Sequence, residues 1–193
     1  MTSMPEGLAA LMKRAEPISR GIPPVERWNP PFCGDLDIHI DAEARWSYLG
    51  SPIGREKLVQ LFSTVLRKDE DGSHYLVTPV EKIRIRVDDA PFLAVEMHVE
   101  GSGEGQQLTF RTNVGDVVDA GKGHPLSFHL DPENNGLKPY VLVRGRLLAK
   151  LSRPLLYDLA ELFEERQTDT VQQEGVWSDG TFFALPEEVL AGV

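Results

Sequence analysis

One cysteine, Cys33, stands in a chain of 193 residues, which excludes an intramolecular disulfide and a zinc site built on several thiolates of this chain. Long apolar runs are missing as well. No segment approaches the roughly 20 residues that a helix needs to cross a bilayer, so no membrane insertion is expected. The opening stretch carries Lys13 and Arg14 after its short apolar patch, the reverse of a secretory leader, and the expected location is cytoplasmic. Positive charge is scarce, with 20 Lys and Arg against 30 Asp and Glu and a formal charge of -10. That balance works against long-range attraction to nucleic acid phosphates or anionic lipid, so no nucleic acid partner is expected. There is no GxSxG elbow and no glycine loop of the Walker or dinucleotide kind. The sequence therefore assigns no catalytic residue and names no cofactor.

What is present is a series of short alternating segments interrupted by two helical ones. Within Trp46–Pro79, the residues Leu58, Val59, Leu61, Phe62, Val65 and Leu66 recur at three-four spacing, which predicts a helix opening near Arg55. Ser51 is placed as its cap and Pro52 in its first turn, so Gly50 to Gly54 is read as helix entry. Asp71-Gly72 then makes a turn into a strand from His74 to Thr78. Upstream, a short helix is expected over Pro5–Ala15. Pro23, Pro24, Pro30 and Pro31 restrict an entry segment that Trp28 and Phe32 are expected to anchor. Asp35–Asp41 sets Leu36, Ile38 and Ile40 on one side of a strand and Asp37 and His39 on the other.

Further strands are expected over Glu81–Val87 and Leu93–Val99. Pairing them as a hairpin sets Arg84 opposite Glu96 and Lys82 opposite His98. Gly101–Gly105 is a turn before a strand at Gln107–Arg111, and Thr112–Pro125 is a polar loop. Strands return at Leu126–Leu130 and at Tyr140–Leu148, with a bend at Gly145. Ser152 and Pro154 open a second helix whose apolar stripe is Leu155, Leu156, Leu159, Ala160, Leu162 and Phe163. A closing hairpin turns at Asp179-Gly180. Arg55, Leu58 and Leu61 recur as Arg153, Leu156 and Leu159, and Asp71-Gly72 recurs as Asp179-Gly180. The fold class is α+β, with duplicated strand-helix-strand motifs in two subdomains, 1–79 and 80–193.

The candidate ligand residues follow from that scaffold. Arg111, Asn113 and Asp116 cluster at the polar loop, His124 closes it, and Arg144 and Arg153 flank the entrance to the second helix. Together they can direct hydrogen bonds to an anionic or heteroatom-rich small molecule. Taken singly, Asn113 also suits a turn cap and Arg153 a helix salt bridge. Asp37, His39 and Asp41 share a strand face, but neighbours on such a face stand roughly 7 Å apart, so no metal is expected. Ser51 and Ser152 are employed as caps and Cys33 has no partner defined by spacing, which leaves a hydrolytic enzyme as the alternative.

Several ordered motifs carry a resemblance. DLDIHID, WSYLGSPIGREKLVQLFSTVLRKDEDGSHYLVTPVEKIRIRVDDAPF, LTFRTNVGD, HPLSF and VRGRLLAKLSRPLLYDLAEL, spread over Pro23 to Pro186, resemble the bacterial family known as domain of unknown function 1285. The resemblance implies two domains built on duplicated motifs, a C-terminal portion superficially similar to a pleckstrin-homology-like fold, and a ligand-binding or signalling role. The expectation is a small-molecule-binding or regulatory module with its site at the interdomain cleft and a possible protein partner. The other alternative is a purely structural module for protein interaction.

Overall fold

A computed structural model describes Ala9 and residues 21–167 and 172–190. The helix expected over Pro5–Ala15 lies, Ala9 aside, outside the described residues. The chain divides into two compact units, Met1–Pro91 with Gly145–Leu147, and Phe92–Arg144 with Leu148–Val193. No helix among the described residues is long and apolar enough to cross a membrane.

Among residues 21–91 the first unit is a mixed sheet with one α-helix. Its strands are β1 (Phe32–Ile40), β2 (Trp46–Tyr48), β3 (Ser51–Pro52), β4 (Leu66–Lys68), β5 (His74–Val77) and β6 (Lys82–Val87), in the order β3-β2-β1-β6-β5-β4. β1 and β6 run parallel, which requires a crossover, and helix α1 (Glu56–Thr64) lies in it. The alternation read from the sequence holds in β1, where Leu36, Ile38 and Ile40 are buried. Phe62 of α1 is buried and stacks on Trp46 at 6.3 Å between ring centroids; burying one such side chain stabilises by roughly 1.5–3 kcal/mol.

Helix entry is not what Gly50–Gly54 does. Leu49 and Gly50 have φ of 50° and 74°, the paired positive values of a type I′ turn, and they fold Ser51 and Pro52 back onto Tyr48 and Ser47 as β3. α1 starts after Arg55 and has no side-chain cap. It also ends before the full stripe is used, because Leu66 belongs to β4.

Arg67, on β4, is buried and ties the proline-rich entry segment to the sheet. Its Nη1 donates to the carbonyls of Val25 at 2.9 Å and Trp28 at 2.7 Å, while Nε and Nη2 donate to the Asp69 carboxylate at 2.6 and 3.2 Å. Val25 is the buried side chain of that segment, whereas Phe32, expected to anchor it, is exposed.

The second unit holds β7 (Phe92–Glu100), β8 (Gln107–Thr112), β9 (Val117–Asp119), β10 (Leu126–Leu130), β11 (Leu137–Arg144) and β12 (Leu147–Leu151), in the order β10-β11-β12-β7-β8-β9. Helix α2 (Arg153–Ala160) follows β12, with Ser152 at the N-cap position and Pro154 in its first turn, but the Ser152 side chain makes no capping hydrogen bond. Its buried stripe is Leu155 and Leu159; the helix stops before Leu162 and Phe163. A three-stranded sheet of β13 (Glu164–Gln167), β14 (Gln172–Ser178) and β15 (Thr181–Ala184) closes the unit. The expected Asp179-Gly180 turn links β14 to β15. It is pinned to the larger sheet by Ser178, whose Oγ donates to the Ala120 carbonyl at 2.7 Å and accepts the Leu108 N–H at 2.9 Å.

The expected hairpin of β6 with β7 does not form. β6 lies between β1 and β5 in the first unit, and β7 pairs with β8 and β12 in the second. Glu96 therefore faces Arg111 across β7–β8 rather than Arg84. An irregularity between Ala94 and Glu96 also switches the alternation: Phe92 and Ala94 are buried and Val95 is exposed, as one extra residue in a strand demands. Because β6 is a central strand of the first sheet, the change of unit falls after Pro91, beyond the boundary at residue 80 that the sequence suggested. Both units are strand-dominated, and each sets one helix before a strand hairpin.

Candidate functional site

The polar loop expected to carry function is a tight β8–β9 turn. Asn113 sits in it with its backbone N–H donating to the Leu93 carbonyl at 2.8 Å and its Oδ1 accepting the Leu93 N–H at 3.0 Å. Asp116 closes the turn: its carbonyl accepts the Thr112 N–H at 2.8 Å, and its N–H reaches Thr112 Oγ1 at 3.1 Å. Arg144, at the end of β11, donates Nη1 to Asp116 Oδ2 at 2.6 Å and places its guanidinium 4.9 Å from the Phe92 ring centroid. Asp116 and Arg144 are thus brought together, with Asn113 bonded next to Phe92 in the chain. The remaining candidates are engaged elsewhere. Arg111 forks onto the Glu96 carboxylate on the exposed sheet face, with its Nε 2.7 Å from Oε2, and that hydrogen bond holds the Glu96 carboxyl below its ordinary pKa. The Nδ1 of His124 lies 2.9 Å from the Leu142 carbonyl. Arg153 belongs to α2.

Arg153 lines a cavity. A space of about 490 Å³ opens between the β10–β11 turn, β12 and α2, bounded by Lys138, Pro139, Lys150, Arg153, Leu156 and Tyr157. Asp131 is also at its edge, hydrogen-bonded by Lys138 Nζ at 2.8 Å, and this bond holds its carboxyl below the usual value. Three cations and one acid therefore face one cavity. Arg153 Nε donates to the Tyr157 hydroxyl at 3.2 Å, a link that raises the guanidinium pKa further. Tyr157 is 58% exposed, so a flat apolar surface adjoins the charged groups. Arg153 and Tyr157 are four apart and one helical turn brings them together, which was visible in the sequence; Lys138 and Lys150 needed the sheet order to place them.

A second cavity of about 500 Å³ lies on the first unit, bounded by Asp35, Asp37, Tyr48, Leu49, Arg84 and Arg86. The neighbouring group Asp37, His39 and Asp41 does not gather its ligating atoms. His39 Nε2 lies 2.7 Å from Asp88 Oδ2, and Asp41 takes the Arg45 Nε at 2.8 Å.

These features define a two-unit, strand-dominated α+β protein with a charged cavity in each unit. The chain belongs to the DUF1285 family. Residues 23–90 match the domain of unknown function (DUF1285), N-terminal domain, and residues 91–185 match the protein of unknown function (DUF1285), C-terminal domain. The crystal structure of a DUF1285 family protein from Silicibacter pomeroyi DSS-3 is similar over 97% of this chain and 100% of that one, at 45% identity and a TM-score of 0.85. A DUF1285 family protein from Shewanella baltica OS155 matches 67% of this chain and 94% of its own, at 27% identity and a TM-score of 0.52. No curated protein matches the chain.

Proposed function

We propose that the protein is a small-molecule-binding regulatory module whose second unit takes an anionic ligand with an aromatic or apolar portion. The observation that carries this proposal is the convergence of Lys138, Lys150 and Arg153 on one cavity beside the exposed Tyr157 ring. In a chain of formal charge -10, such a cavity is a local reversal of sign, and low-dielectric walls strengthen the field inside it. The guanidinium offers a planar fork to a phosphate or carboxylate, and Tyr157, Leu156 and Pro139 supply the apolar surface that holds the rest of the ligand. The many strands and the helix α2 of this unit support reading it as the pleckstrin-homology-like arrangement that the resemblance implies. Occupancy alters the surface around α2 that a protein partner reads.

Thermal unfolding in phenyl phosphate, inorganic phosphate and phenol tests this. Phenyl phosphate is expected to stabilise most, by roughly 2.7 kcal/mol at a concentration of 100 Kd, and Arg153→Gln is expected to remove the effect. Equal stabilisation by phenol refutes an anion site, and no stabilisation by any of the three refutes a site of this chemistry.

A further inference from the structure

The cavity of the first unit has a different origin and a different charge pattern. Asp35 is level with Arg84 and His39 with Arg86, so β1 advances four positions while β6 advances two. Leu36, Asp37 and Ile38 are left with no partner on β6, the signature of a bulge, and the cavity of about 500 Å³ opens there. One pair of its charges is internally satisfied: Arg84 donates Nε and Nη2 to the Asp35 carboxylate at 2.7 and 2.9 Å. The other two are held weakly or not at all. The Asp37 carboxylate has no hydrogen-bond or ion-pair partner among the described residues, and the nearest carboxylate oxygen to Arg86 Nε is Asp88 Oδ1 at 4.0 Å. Asp88 is already held by His39 through its other oxygen.

The apolar wall is unusual too. Leu49 is 58% exposed with φ at 50°, in the first central position of the β2–β3 turn. A leucine pays about 1–2 kcal/mol there relative to residues suited to left-handed backbone, and asparagine or glycine is the ordinary occupant. Strain kept at the rim of a cavity directs attention to what the side chain touches.

We propose that this cavity binds a free α-amino acid with an apolar side chain. Its ammonium group pairs with Asp37, its carboxylate with Arg86, and its side chain lies on Tyr48 and Leu49. A simple anion leaves Asp37 repelled and a simple cation leaves Arg86 repelled, whereas a zwitterion satisfies both with no net charge. The cavity is of a size that small-molecule sites adopt. The site is independent of the anion cavity in the second unit.

Calorimetric titration of the full chain with L-leucine, L-phenylalanine and L-methionine tests the proposal, with N-acetyl-L-leucine and L-leucinamide as probes lacking one charge. At least one free amino acid is expected to bind saturably, and each leucine derivative to bind about 10-fold or more weakly than leucine. Asp37→Asn and Arg86→Gln are each expected to weaken binding by about 10-fold or more without moving the urea midpoint, since both side chains are exposed. If either variant disturbs folding, Leu49→Asn supplies the second arm: it is expected to bind less tightly while unfolding at higher urea. Arg153→Gln should leave amino acid affinity unchanged. The proposal is overturned if none of the three amino acids binds at up to about 10 mM, roughly ten times a millimolar Kd. N-acetyl-L-leucine binding as tightly as leucine overturns it equally, because the site then recognises an anion.

Discussion

Replacing Arg67 with methionine removes the fork that fixes the entry segment to the first sheet while keeping most of the apolar stem. Two carbonyls, of Val25 and Trp28, lose their donor, and Asp69 loses two of its hydrogen bonds. Asp69 keeps Lys82 Nζ at 3.0 Å, so its charge is not stranded. Hydrogen bonds from a charged donor contribute roughly 1.5–3 kcal/mol each, and breaking a buried ion pair costs roughly 3–5 kcal/mol; these counts overlap, and about 3–5 kcal/mol is the expected loss. Arg67→Lys keeps the charge without the planar fork and should lose an intermediate amount. Urea unfolding followed by tryptophan fluorescence measures this, because Trp28 and Trp46 both lie in the first unit. A loss below about 1 kcal/mol for Arg67→Met contradicts the assignment of Arg67 as the anchor.

Burial pushes the pKa of His74 down from 6.5 to about 4, with the Lys68 charge adding to the effect. Well above pH 6.5 the ring is neutral in both states; as pH falls through 6.5 toward 4 the unfolded chain takes up a proton that the native chain refuses, so stability falls, by roughly 3 kcal/mol in full. Urea midpoints measured across that window should slope less in His74→Leu than in the parent, and an unchanged slope refutes the assignment. Leu49→Asn should stabilise the chain by about 1 kcal/mol by relieving the left-handed backbone, read as a higher melting temperature; a lower one refutes the strain. A Cβ at Gly175 would come within 3.0 Å of the Phe183 carbonyl oxygen and the Ala184 Cα across β14–β15, so Gly175→Ala should cost about 1–3 kcal/mol or more in chemical denaturation.

Much of the fold was legible because apolar periodicity is a local signal. The alternation in β1 and the turn at Asp179-Gly180 reappear where spacing put them, and Ser152 and Pro154 stand at the start of α2, though the Ser152 hydroxyl does not cap it. What failed depended on partners distant in sequence. Nothing local distinguishes β6 pairing with β7 from β6 inserted between β1 and β5, since the charges of Arg84 suit Asp35 as well as Glu96. Gly50-Ser51-Pro52 reads as helix entry until Leu49 is found in a left-handed conformation that favours Asn or Gly. The site residues divide in the same way. Asn113 and Asp116 share one turn because they are close in sequence, and Arg144 reaches Asp116 through the sheet. Arg153 needed Lys138 and Lys150 from β11 and β12 to become part of a cavity, and the pairing of those strands is not written in their spacing.

The most direct test of the anion-binding account is a titration of phenyl phosphate into the parent chain and Arg153→Gln at low and high salt. Saturable binding that weakens with salt and falls at least about 10-fold in the variant is the predicted result. Binding that is absent from the parent chain, or equally tight in Arg153→Gln, contradicts it.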